Sequence, residues 1–255
     1  MHRIAAIVAI ERGESDIASE HLQHCNAPDL EYSNSLLNGD VGVELPKTAD
    51  ARLLLSEAAR RLDDKLPGKQ VDDTVLQLTE DIDISSLSEE MRKVVLVAIA
   101  HVKHAWHISR ENWREASELR ESLASISHDS DPQLVAMILR AEIAQTPGNS
   151  PSFDRLIEQA FSHSGLRAKM LQLSLIERCD EQRAKSILNR IEIPSSDSQT
   201  NMTSARRVSA MIWYYRAVYK THNPLSAMAE AISLWKRSLC PNAASEATLL
   251  MHQLL

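Results

Sequence analysis

The segment AHVKHAWH sets His101, His104 and His107 three residues apart, with Glu111 four further on. Imidazoles gathered within two helical turns are the side chains that hold zinc and other first-row transition metals. One reading of the chain is therefore a metal-dependent enzyme built on this row. On a helix, however, each step of three residues falls about 60° short of a full turn. The row drifts around the axis where an i, i+4 pair would converge, which favours histidines on a helix seam. A second compact donor group is HLQHC, with His21, His24 and Cys25. Its cysteine falls at a position that closes a helix seam, so core packing is the expectation.

Other acidic and nucleophilic groupings are weaker. His128 and Asp129, in SHDSD, resemble the metal-binding pair of HD-type phosphohydrolases. Those enzymes need further His and Asp on neighbouring helices, whereas this loop precedes Pro132 and suits N-terminal capping. The pairs Asp63-Asp64 and Asp72-Asp73 and the run EDID could handle Mg²⁺, but no aromatic cavity accompanies them and a solvated face is expected. No GxGxxG, GxxxxGK[ST], GxSxG or HExxH pattern occurs. No catalytic residue, metal or cofactor is expected, and the chain reads as non-enzymatic.

A different chemistry is offered by ARRVSAMIWYYRAVYK, which interleaves Arg206, Arg207, Arg216 and Lys220 with Trp213, Tyr214, Tyr215 and Tyr219. Aromatic and arginine side chains are enriched where proteins bind one another. A helix this apolar also buries most of its circumference, so some of these rings belong to the core.

Composition says which elements position these residues. With only 6 Gly and 4% aromatics in 255 residues, the chain lacks the material for tight strand-to-strand turns and aromatic strand pairs. All-α structure follows. Three cysteines, odd in number and without CxxC spacing, point to a reducing compartment and a cytoplasmic location. The short apolar run from Ile4 to Ile10 lacks the character of a signal peptide, and no segment reaches the length of a membrane span. Charge is uneven: residues 1–100 carry 10 basic against 19 acidic side chains, residues 101–200 carry 12 against 14, and residues 201–255 carry 6 against 2. The acidic body argues against nucleic acid as a partner, and the basic end suits an acidic peptide or protein face.

Helix signals recur along the chain. Ser86 with Glu89 reads as a capping box before Met91, Asp131-Pro132 opens QLVAMILRAEIAQ, and Asn223-Pro224 opens LSAMAEAISLWKRSL. Breaks fall at PGNSP, HSG and PSSDSQTNMTS. Residues 26–48, with two prolines, NGD and DVGVEL, are expected to be irregular and mobile, and 66–88 to be loop or a small hairpin. Two regions are expected, 1–87, helical with long loops, and 88–255, helical repeats, either separate or as one continuous domain.

The repeat is carried by an echo. IERGESDIASEHL (from Ile10), ISRENWREASEL (from Ile108) and IERCDEQRAKSIL (from Ile176) share Ile, Arg two residues on, and Ala eight on, at Ala18, Ala116 and Ala184. Each arginine should end one helix and each alanine should lie early in the next. Seven residues past the alanine come Cys25, Leu123 and Ile191, on the same face. A small residue at the crossing lets the backbones approach, and the larger one closes the seam. Ala116 and Ala184 are 68 residues apart, twice 34, and a fourth frame fits around Ala227. In these features the chain resembles tetratricopeptide-like (TPR-like) α-solenoids over 88–255, and more loosely over 1–25. That resemblance implies a small residue midway along each first helix, met by Ala6, where the other copies have His104, Gln172 and Tyr215. It also implies that first helices line a concave groove, with His101, Lys169, Arg216 and Lys220 facing into it. Together with Arg207 and Tyr219 from the C-terminal cluster, these are the expected partner-binding residues.

The expected function is a protein-interaction module: an adaptor, a chaperone-like factor or a subunit of a larger complex. The alternatives are a regulator contacting nucleic acid, since SLSEEMRKVVLVAIAH resembles the opening of a sigma-factor helix-turn-helix, and the metal enzyme on the histidine row.

Overall fold

A computed structural model describes residues 1–40, 42–85, 87–124, 132–194 and 202–253. Among them are fourteen helices and no strand: α1 (His2–Arg12), α2 (Ser15–Leu22), α3 (Pro28–Asn38), α4 (Ala51–Asp63), α5 (Thr74–Glu80), α6 (Glu89–Ser109), α7 (Trp113–Ala124), α8 (Pro132–Gln145), α9 (Pro151–Ser162), α10 (Gly165–Ile176), α11 (Glu181–Arg190), α12 (Met202–Val218), α13 (Pro224–Arg237) and α14 (Pro241–Gln253). No described helix is long and apolar enough to cross a membrane.

The echoed segments form helical hairpins. Arg12 ends α1, Arg110 follows α6 and Arg178 follows α10. α1 packs on α2, α6 on α7, α10 on α11 and α12 on α13. Ala18 and Ala184 are 0% exposed, and Ala116 and Ala227 are 1% exposed. A methyl group at each crossing is the largest side chain that two close backbones accommodate. Leu123 and Ile191 are buried as expected, while Cys25 is half-buried against Ala6, Leu22 and Ala27. The mid-helix positions twelve residues before each alanine, Ala6, His104, Gln172 and Tyr215, are all buried. Gln172 Nε2 there donates to the Ala160 carbonyl of α9, 3.2 Å away.

Two expectations need correction. Residues 28–38, inside the segment expected to be irregular, form α3: Pro28 is pre-set for the first turn, Asp29 and Glu31 suit the positive helix start, and Gly39 closes the end at φ 88°. Residues 66–88 hold α5 in place of a hairpin. The proposed cap Ser86, like Asp131, His128 and Asp129, lies outside the described residues; α6 is capped by Ser88, whose Oγ accepts from Met91 N at 3.3 Å. Asn223 caps α13 as expected, accepting from Ser226 N at 3.0 Å.

The helices gather into two compact units. The first comprises Met1–Leu53, Asp63–Leu66 and Ile193–Leu255. Its short middle piece is held by charge: Asp63 faces Arg207 at 3.4 Å, and the Asp64 carboxylate accepts from Ala243 N and Asn242 Nδ2, each at 3.0 Å. Asp64 thereby stands at the positive end of α14, where backbone N–H groups have no helical partner. Arg206 serves the opposite ends, donating to the carbonyls of Glu11 at the end of α1 and of Arg237 at the end of α13.

The second unit comprises Leu54–Leu62 and Pro67–Glu192. Buried Glu57 accepts from Arg60 Nη2 at 2.6 Å and from Arg61 Nε at 2.6 Å, and Arg61 also donates to Thr74 of α5. Ala100, Leu123, Leu134 and Met137 form the core where α6, α7 and α8 meet. At the PGNSP break, a Cβ on Gly148 would lie 1.8 Å from the Arg178 carbonyl oxygen, so only glycine fits.

Two stability outcomes follow. Ala184→Leu inserts three carbons into a closed seam and should cost about 1–3 kcal/mol, whereas Ala124→Leu at an exposed position should be near neutral; chemical denaturation midpoints compare them. Asp64→Ala leaves the Ala243 N–H buried without its acceptor and should cost about 1–3 kcal/mol, with Asp64→Asn milder.

Candidate functional site

The C-terminal end of α12 and its turn into α13 gather aromatic and cationic side chains on the surface of the first unit. Arg216 lies over the face of Trp213, its guanidinium carbon 4.9 Å from the ring centroid, and the exposed His222 ring meets the same indole edge-on at 5.4 Å. Tyr219 is half-buried and stacks on buried Tyr215 at 6.2 Å. Exposed Val218 and Leu225 flank the turn, and Lys220 stands exposed at its tip in a left-handed conformation, φ 54°. The hairpin produces this grouping. α12 must bury Ala210, Ile212, Tyr215 and Ala217 against its neighbours, and that register leaves Trp213 and Arg216 half-buried, with Lys220 exposed in the turn beyond the helix end. Partial burial lowers the Arg216 pKa from its ordinary value, while the guanidinium keeps its charge at neutral pH.

The six expected binding residues divide. Arg216, Tyr219 and Lys220 come together in this patch. Arg207 is buried, 8% exposed, and faces Asp63, so its charge serves the fold. His101 on α6 and Lys169 on α10 belong to the second unit, both half-buried. His222, which completes the patch, escaped the sequence reading because it lies beyond the cluster, in the turn before Pro224.

The histidine row sits on the α6 seam. His104 is 1% exposed, and His101 and His107 are half-buried. His101 Nδ1, His104 Nε2 and His107 Nδ1 are buried without a hydrogen-bond partner. Burial, then the guanidiniums of Arg140 and Arg120, hold His104 down to about 3; burial, then Arg140 and Arg167, hold His101 down to about 4. Burial lowers His107 too, opposed by Glu115. Cations around neutral imidazoles are the reverse of what a metal ion needs, and among the described residues no three His, Cys, Asp or Glu side chains are set to hold one. Asp72 and Asp73 also serve the fold: the Asp72 carbonyl accepts from Trp106 Nε1 at 3.2 Å, and the Asp73 carboxylate accepts from Arg110 at 2.7 Å. Burial pushes the Cys179 thiol up to about 11, which leaves it unreactive at neutral pH. A depression between α8 and α9 is lined by the aliphatic Val135, Ile138 and Leu139 and the polar Glu142, Gln159 and His163.

The chain matches no protein-family model, no curated protein and no solved structure.

An acid-sensitivity outcome follows from His104. An unfolded chain takes up this proton near pH 6.5, while the folded protein resists it down to about 3. The neutral ring's contribution to stability is therefore complete above 6.5 and is lost progressively as pH falls toward the folded value. His104→Leu should flatten unfolding free energy against pH between 6.5 and 4 by up to about 1.4 kcal/mol per pH unit, measured by denaturant titration at stepped pH.

Proposed function

We propose that this chain is a cytoplasmic, non-enzymatic, TPR-like helical-repeat protein that binds an acidic peptide or an acidic face of another protein. It acts as an adaptor, a chaperone-like factor or a subunit of a larger complex. The four hairpins with buried alanines at equivalent places support the repeat reading. The observation that carries the binding role is Arg216 over Trp213, with Lys220 and His222 exposed around them. An indole held flat by a guanidinium offers a rigid apolar anchor at low entropic cost, and the surrounding cations can hold carboxylates by charge-assisted hydrogen bonds. The excess of 6 basic over 2 acidic side chains in residues 201–255, against an acidic remainder, would steer an acidic partner to this end.

Fluorescence anisotropy with a labelled panel of Glu- and Asp-rich peptides tests the reading. Wild type should bind saturably, more weakly as salt rises, and Trp213→Ala and the pair Arg216→Glu/Lys220→Glu should each weaken binding at least about tenfold. Arg155→Glu, at an exposed position of α9, should leave binding unchanged. Equal binding by wild type and the charge-reversed pair would defeat the assignment.

A further inference from the structure

The first hairpin brings three histidines to one place on its surface. His2 opens α1, His21 lies in the last turn of α2, and His24 follows in the turn after it. The His2 and His21 Nδ1 atoms are 3.4 Å apart. The His2 ring centroid lies 5.6 Å from that of His21 and 4.8 Å from that of His24. His2 and His24 are exposed and His21 is half-buried, so an ion has a path in from solvent.

The separation is informative. At 3.4 Å the two Nδ1 atoms are within hydrogen-bond reach of each other, one ring donating and the other accepting. Two nitrogens bound to one tetrahedral zinc ion, each at about 2.0–2.1 Å from the metal, stand about 3.3 Å apart. The helices beneath are fixed independently of any ion. Ala6 and Ala18 are fully buried in the seam, and Arg3 holds Asp29 through two contacts, at 3.2 and 2.7 Å. Asp29 is thus already engaged. Cys25 directs its thiol to the His21 carbonyl, 3.6 Å away, and is no ligand.

We propose that His2 and His21 bind a divalent ion of the zinc class through their Nδ1 atoms, with His24 as third ligand and water completing the shell. The two Nδ1 atoms stand near the separation a shared ion would give them, and His24 must turn about its side-chain torsions to supply the third donor, since among the described residues no three donors as placed are set to hold an ion. The site differs from the α6 row in its surroundings: His2 and His24 are exposed, whereas Arg140 stands near both His101 and His104. A bound ion would clip α1 to the end of α2.

The test is zinc titration of the tag-free full chain by calorimetry, paired with thermal unfolding with and without zinc and with the visible spectrum of the cobalt form. One equivalent should bind and raise the melting temperature. His2→Ala and His21→Ala should each weaken binding at least about tenfold, the loss that even an outer-shell partner brings. His24→Ala should weaken it and shift the cobalt bands, and His163→Ala should change nothing. The exposed rings can be removed without unfolding the hairpin, which circular dichroism verifies. Absence of saturable binding by wild type, or binding by a His2→Ala/His21→Ala variant equal to wild type, overturns the site.

Discussion

Closeness of approach between paired helices is the constraint on which the fold rests, and it is set by side chains that stop at Cβ. Ala18, Ala116, Ala184 and Ala227 are each almost wholly buried where the second helix of a hairpin meets the first. With the backbones so near, the first helix has little choice about which of its positions faces inward. That is why residues of such different chemistry as Ala6, His104, Gln172 and Tyr215 are all buried at the equivalent place. Geometry selects the position, and the residue that falls there must find a way to be satisfied. Gln172 does so in part, its Nε2 donating to the Ala160 carbonyl while its Oε1 is left without a partner, and His104 stays neutral with one ring nitrogen unpartnered. A buried polar atom left so costs free energy but also penalises any slipped register that would strand more such groups.

Charged side chains complete what the seams begin. Arg206 bonds the C-terminal carbonyls of two helices, and Asp64 accepts from the Ala243 N–H and the Asn242 side chain at the start of a third. Helix ends carry opposite partial charge and unpaired backbone groups, so one buried ion can anchor several elements without any apolar surface of its own. These contacts join residues 31 to 195 positions apart, which makes the first unit a product of the chain's two extremes.

That distance explains what could be read from sequence and what could not. The hairpins were legible because their signal is local: an arginine, a polar turn and an alanine within nine residues. α13 was legible through Asn223 and Pro224. α3 was not, since two prolines and NGD read as loop unless Pro28 is recognised as a first-turn residue and Gly39 as a helix stop. Nothing near Asp63 and Asp64 announces that their partners are Arg207, Asn242 and Ala243. For the same reason Arg207 looked like a binding residue: its composition is that of an interface, and only the fold reveals the aspartate that occupies it. Arg216, Tyr219 and Lys220 fall close together as neighbours in sequence on and just after one helix, and His222 joins them only because the turn brings it back onto Trp213.

α12 thus divides its cations between two tasks. Arg206 and Arg207, near its start, are spent on carbonyls and on Asp63, and substituting either would disturb helix ends and a buried carboxylate before it disturbed any partner. Arg216, near its end, lies on an indole at the surface, and Lys220 follows in the turn. A planar guanidinium is shaped to meet a carboxylate in its own plane through paired N–H donors. A lysine at the tip of a turn supplies charge without that directionality. Under the proposed acidic-partner role, the division predicts different signatures for the two ends in one experiment: loss at Arg206 or Arg207 should lower the melting temperature and weaken peptide binding only in step with unfolding. Loss at Arg216 should weaken binding at a temperature where the protein remains folded.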